Sequence, residues 1–134
     1  MRCACLIGAL AITGACAATP ETNIDEQTVR DYVEVGELDD VQHIRVSTRD
    51  SWSNLGEYFV IYKTRSGDYL VEFRRRCPEV NDAGMIPGDH RYDQNRLRAN
   101  QDTLRGCRIG KIYPLTEAQA AELRNLGKGP VQGN

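Results

Sequence analysis

The sequence predicts an α+β domain: a small antiparallel sheet of about five strands around a central hairpin at residues 57–74, with one helix at each end. Three observations lead to it. Residues 57–74 alternate as two strands about a glycine-containing turn. Apolar residues recur at helical spacing over about 25–35 and again over about 116–126. Cys77 and Cys107 stand in the part expected to fold and predict one disulfide.

The elements follow in chain order. Ala17 to Asn23 holds Pro20 among polar neighbours and reads as a tether. Asn23 and Glu26 have capping-box spacing, and Val29, Tyr32 and Val33 then share a helical face until Gly36. A strand is expected at Val41–Ser47, with Gln42, Ile44 and Val46 on one face and His43 and Arg45 on the other. Thr48–Gly56 breaks the alternation with Ser, Asp, Asn and Gly, so it reads as a loop carrying the only tryptophan, Trp52. Trp52 has two readings, an anchor for a partner and a lid folded back on the core.

In the hairpin, Tyr58, Val60 and Tyr62 share one face and Phe59 and Ile61 the other, which marks a central strand covered on both sides. Arg65 to Asp68 supplies the turn, with Gly67 free to take a positive φ. The return strand sets Tyr69, Val71 and Phe73 against Leu70, Glu72 and Arg74. Glu79 to Tyr92 is dense in Asn, Asp, Gly and Pro and reads as loop. Short strands are expected at Arg96–Ala99 and Cys107–Tyr113. Thr116 with Gln119 forms a second capping box, and Ala120, Leu123 and Leu126 make an apolar stripe that stops at Gly127. Residues 128–134 are expected to be a disordered tail.

Residues 1–15 read as an export leader: Arg2, an uncharged apolar run, then Gly14 and Ala15 before Cys16. That pattern predicts cleavage before Cys16 and attachment of acyl chains such as palmitate to it, although Thr13 stands where leucine is more usual. The chain then divides into leader (1–15), acylated cysteine and tether (16–23), single domain (24–127) and tail (128–134). Ala15-Cys16-Ala17 also fits ordinary secretory cleavage, and an uncleaved membrane anchor is a third outcome. Ala17 after the cysteine resembles bacterial lipoproteins sent to the outer membrane, facing the periplasm; the alternative is a soluble periplasmic protein. Cys3 and Cys5 leave with the leader, so an oxidising compartment would join Cys77 to Cys107. A metal site on these thiolates with His43 or His90 competes, but no C-x-x-C or H-x-x-x-H spacing supports it. No metal and no cofactor are expected.

Charge is uneven. Residues 19–73 hold five Lys/Arg against twelve Asp/Glu, and residues 74–111 nine against five. The two halves are expected to attract each other once folded. The sharper reading makes Arg74, Arg75, Arg76, Arg91, Arg96 and Arg98 a patch for an envelope protein or another anionic envelope component. Nucleic acid is not expected, because no aromatic-basic stacking motif is present.

Catalytic signatures are missing: no G-x-S-x-G, no phosphate-binding glycine loop, no H-E-x-x-H and no redox C-x-x-C. Asp39 and Asp40 would point apart on a strand, and Asp89-His90 has no nucleophile placed beside it. The expectation is a non-catalytic binding or structural module on a membrane anchor. Its rivals are a small-molecule binder or small periplasmic enzyme with a pocket near Trp52 and His90, and a periplasmic inhibitor.

Tyr69-Leu70-Val71-Glu72-Phe73, Cys77, Asn95-x-Leu97-x-Ala99, Asp102-x-Leu104-x-x-Cys107-x-Ile109 and Tyr113-x-Leu115-Thr116-Glu117-Ala118 occur in an order that resembles one family. It is an uncharacterised family of small exported bacterial proteins, a domain of unknown function found in proteobacterial lipoproteins and periplasmic proteins. The resemblance covers Val29 to Gly127. It implies a disulfide-closed α+β fold and an envelope location, and it supplies no activity.

Overall fold

The computed structural model describes residues 24–47, 49–81 and 95–126. Helix α1 (Glu26–Val35) precedes strands β1 (His43–Arg45), β2 (Ser51–Asn54), β3 (Phe59–Thr64) and β4 (Gly67–Phe73). A 3-10 turn (Pro78–Asn81), β5 (Arg96–Arg98), β6 (Thr103–Leu104), β7 (Cys107–Leu115) and helix α2 (Glu117–Leu126) complete the order. The main sheet is antiparallel in the order β2-β3-β4-β7-β6, and β1 and β5 pair as a separate two-stranded ribbon. The α+β expectation holds, with the hairpin at its centre and one disulfide.

The two-sided hairpin explains the layering. Val60, Tyr62, Val71 and Phe73 point into one core beneath the ribbon, together with Ile44, Leu97, Ile109 and both disulfide cysteines. Phe59, Ile61 and Leu70 point into a second core beneath the helices, against Val29, Ala120 and Leu123. Cross-strand pairs Val60/Val71, Ile61/Leu70 and Tyr62/Tyr69 keep each face in step. Arg105, from the turn after β6, lies 5.0 Å over the Trp52 ring of the opposite edge strand. The sheet must therefore curl around the ribbon-side core until its two edges approach.

Local chemistry sets the ends of the elements. At α2 the capping box forms as expected: the Gln119 amide donates to Thr116 Oγ1 at 3.1 Å, and the Thr116 amide to Gln119 Oε1 at 2.9 Å. At α1 the N-cap is Asp25 with no side-chain cap, and Asn23 of the expected box lies outside the described residues. The helix ends at Val35 with Gly36 as its C-cap, and Glu37 just beyond, at a φ of 48°, closes it: the Glu37 amide donates to the Glu34 carbonyl and the Leu38 amide to the Val33 carbonyl. Arg105 and Gly106, both at positive φ, make the tight turn into β7.

Three expectations need correction. Thr48–Gly56 is not all loop, because Ser51–Asn54 pairs with Lys63–Val60 as an edge strand. The strand expected at Val41–Ser47 is regular over three residues only: the Val46 amide still meets the Asn95 carbonyl in the same register, but the Val41 amide turns to the Ile112 carbonyl. Leu126 is 43% exposed and lies off the buried stripe of α2. No helix among the described residues is long and apolar enough to cross a membrane.

A partly exposed polar seam borders the helix-side core. Arg30 bridges Glu26 and Glu72, each at 2.5 Å, and the Tyr113 hydroxyl lies 3.5 Å from the second Glu72 oxygen. Burial, then the Glu72 and Asp40 carboxylates, pushes the Tyr113 phenol up to about 12. Tyr32 is pushed up to about 12 by burial and by Glu122, which accepts its hydroxyl at 2.6 Å. The folded chain thus keeps protons that an unfolded tyrosine releases near pH 10, so these two groups add stability below about pH 10 that fades as pH rises towards 12. An ultraviolet titration is expected to show two late phenolates, one of them missing in Tyr113→Phe. Simultaneous ionisation of every tyrosine near pH 10 would contradict this.

Candidate functional site

The expected sites fall in different places. Cys77, just past β4, and Cys107, the first residue of β7, are joined with Cα atoms 6.0 Å apart, and both are fully buried. The expected pairing is present. Glu79 Oε2 lies 3.4 Å from Cys107 Sγ, the one group of this kind among the described residues in which two cysteines and a carboxylate meet. With the two sulfurs bonded to each other, neither is available as a thiolate ligand. Cys16, His90 and Arg91 lie outside the described residues.

The arginine run does not present one face. Arg74 turns to Asn100, donating from Nε and Nη2 to its Oδ1 at 3.1 and 2.8 Å. Arg76 pairs with Glu57, whose carboxyl is held below its ordinary range by that bond. Arg75 is exposed between them. Arg96 and Arg98 flank buried Leu97 on β5, so they stand on the ribbon's outer surface opposite Arg45 and His43. Trp52 is half-buried on an edge strand, its ring stacked on Tyr62 at 6.5 Å between centroids and topped by Arg105. It serves there as a cover over the ribbon-side core, rather than as a loop anchor.

A different constellation forms at the tip of the central hairpin. A cleft of about 790 Å³ opens between the hairpin turn and the ends of β1 and β5, lined by Arg45, Ser47, Thr64, Arg65, Ser66 and Arg96. A second lobe of about 610 Å³ continues past Arg65 and adds Arg49, Lys63 and Ser51. The lobes share Ser47, Asp50, Thr64 and Arg65. The turn that builds the floor is pinned by Thr64, whose hydroxyl accepts the Ser66 amide at 3.1 Å and donates to the Gly67 carbonyl at 3.0 Å. Gly67 takes a φ of 151°, as the turn requires. Asp50 is the sole carboxylate among the described lining residues, and both its oxygens are occupied by the Ser47 amide (2.6 Å) and hydroxyl (2.9 Å).

Among the described lining residues, Arg45, Arg49, Lys63, Arg65 and Arg96 stand around one locally satisfied carboxylate, which favours an anion in this trough. Guanidinium forks suit carboxylates and phosphates alike. The trough sits far from where the domain begins. Ile24, Asp25 and Glu26 pack beside Leu55, Glu57 and Phe59, at the opposite end of β3. Five residues of strand separate the two ends, about 17 Å.

Comparison with known proteins places the chain. A family model described as a family of unknown function, DUF6491, matches residues 1–128. The chain belongs to the DUF6491 family. The match spans the N-terminal apolar run and Cys16 as well as every element of this DUF6491 domain. No curated protein and no solved structure gave a match.

Proposed function

We propose that this DUF6491 protein is an exported envelope lipoprotein, held at the outer membrane through Cys16 and facing the periplasm, whose domain binds an anionic envelope component without catalysis. The observation that carries the binding reading is the trough at the hairpin tip, where Arg45, Arg49, Lys63, Arg65 and Arg96 converge on two adjoining lobes. Export is supported by the leader pattern before Cys16 and by a disulfide, which persists in oxidising compartments. Neither histidine nor thiol lines the described part of the trough, and its hydroxyls close turns, so its chemistry suits holding an anion more than transforming one. An anchor at the start of the domain would also leave the trough at the far end of the sheet, open to the space beyond the membrane.

Charge reversal tests it. Each exposed ion pair is worth about 0.2–1 kcal/mol, so Lys63→Glu/Arg65→Glu is expected to weaken retention on a polyanionic matrix about tenfold while unfolding is unchanged. Retention of the wild type should fall steeply with salt. Equal retention of both proteins would remove the trough from consideration. Mass spectrometry of the mature N-terminus tests the anchor independently: acyl mass on Cys16 is expected, and an unmodified Cys16 would exclude lipid attachment.

A further inference from the structure

We infer that the anion is an acidic glycan: a chain of sugar rings whose carboxylates lie along the trough while one ring stacks on Tyr69 in the cleft beside it. This deepens the binding reading above and rests on it. The sheet register sets Trp52 opposite Tyr62, Tyr62 opposite Tyr69 and Tyr69 opposite Pro114, so four neighbouring strands carry a row of ring side chains on the ribbon side. Within that row Tyr62 is buried and Trp52 is topped by Arg105. Tyr69 is half-buried and Pro114 exposed, and the two line a cleft of about 370 Å³ with Val41 and His43.

This cleft adjoins the trough. Arg45 and Ser66 line both the cleft and the first lobe, and the Tyr69 hydroxyl oxygen lies 3.5 Å from Ser66 Oγ. A ligand that leaves the cleft past Arg45 and Ser66 therefore enters the lobe that holds Arg65, then the one that adds Arg49 and Lys63. An acidic sugar chain matches that order of groups. The C–H face of a sugar ring is apolar and slightly positive, so it stacks on the electron-rich face of a phenol ring. Its carboxylates suit guanidinium forks, and its hydroxyls suit the His43 imidazole and the Ser66 hydroxyl. A run of glutamates would use the cations and leave the wall formed by Tyr69 and Pro114 bare. A membrane lipid presents its headgroup at the bilayer, whereas the trough lies at the end of β3 opposite to the one where the chain enters the domain.

The test uses the full chain with Cys16→Ala, which takes no lipid, and two probes of equal charge, hexagalacturonate and an N-acetylated, C-amidated hexaglutamate. The sugar is expected to bind at least tenfold more tightly, with its ring C–H proton resonances moved upfield by the Tyr69 ring. Tyr69→Leu, which keeps an apolar cover there, should abolish that margin and the upfield shift while leaving hexaglutamate binding where it was. Lys63→Glu/Arg65→Glu should weaken both probes. If hexaglutamate binds the parent chain as tightly as the sugar, or the sugar protons do not move, the glycan inference is wrong and the trough reading survives; this comparison needs no Tyr69 variant to fold. If phosphatidylglycerol vesicles bind better than hexagalacturonate, the partner is a lipid and the inference falls. If neither polyanion nor the vesicles bind, the trough reading falls with it.

Discussion

Reduction of the Cys77–Cys107 bridge is expected to lower the unfolding free energy by about 3.5–4 kcal/mol and the midpoint of thermal unfolding by about 15 °C or more. The bridge spans 30 residues and so restricts a large loop of the unfolded chain. In the folded chain it adds little order, because β7 is already paired along β4 from Leu115 back to Ile109. The gain therefore lies mainly in the unfolded ensemble, on the chain-entropy account. Both sulfurs are fully buried in the ribbon-side core, so Cys77→Ala/Cys107→Ala adds a small packing loss to the entropic one. Thermal unfolding with and without reductant, with free thiols counted, measures it. An unchanged midpoint once both thiols are free would show that the two cores suffice alone. For a domain of this size such a loss is a large fraction of typical net stability.

The hairpin was legible because its chemistry is redundant. Apolar residues on both faces of Phe59–Thr64, a glycine at the turn and an alternating return strand all specify the same pairing. Thr116 and Gln119 were equally clear, since a reciprocal cap needs only two side chains three residues apart. β2 was not legible. Ser-Trp-Ser-Asn has no apolar alternation, and it becomes a strand because the exposed edge of β3 supplies a partner for its backbone. Asn23 and Glu26 matched a cap by spacing, but a boundary depends on how the chain enters, and the helix begins from Asp25. The trough was hidden more deeply. Arg45, Arg49, Lys63 and Arg65 belong to the half of the sequence in which acids outnumber bases, so summing charge along the chain pointed to Arg74, Arg75 and Arg76 instead. Only folding brings the tip of the hairpin beside the ends of β1 and β5, and local concentration of charge then outweighs the regional sum.

Phe59→Ala is expected to cost about 3–5 kcal/mol and to loosen α1 selectively. Phe59 is 1% exposed, sits in the helix-side core with Val29 and Leu123, and carries the Arg30 guanidinium 5.4 Å above its ring. Truncation leaves a cavity and removes that support from Arg30, the residue that ties α1 to Glu72 on β4. Phe73→Ala removes a ring of the same size from the opposite core, where the neighbours are the ribbon and the disulfide, so a comparable total loss is expected. The two variants should differ in where the structure opens. Urea unfolding gives the totals, and native-state hydrogen exchange shows fast opening of Glu26–Val35 in Phe59→Ala alone. Val35→Ala, at a position 86% exposed on the same helix, should stay within about 0.5 kcal/mol of the parent. Equal loosening of α1 by both phenylalanine variants would mean that the sheet transmits packing between its faces and that the two cores behave as one.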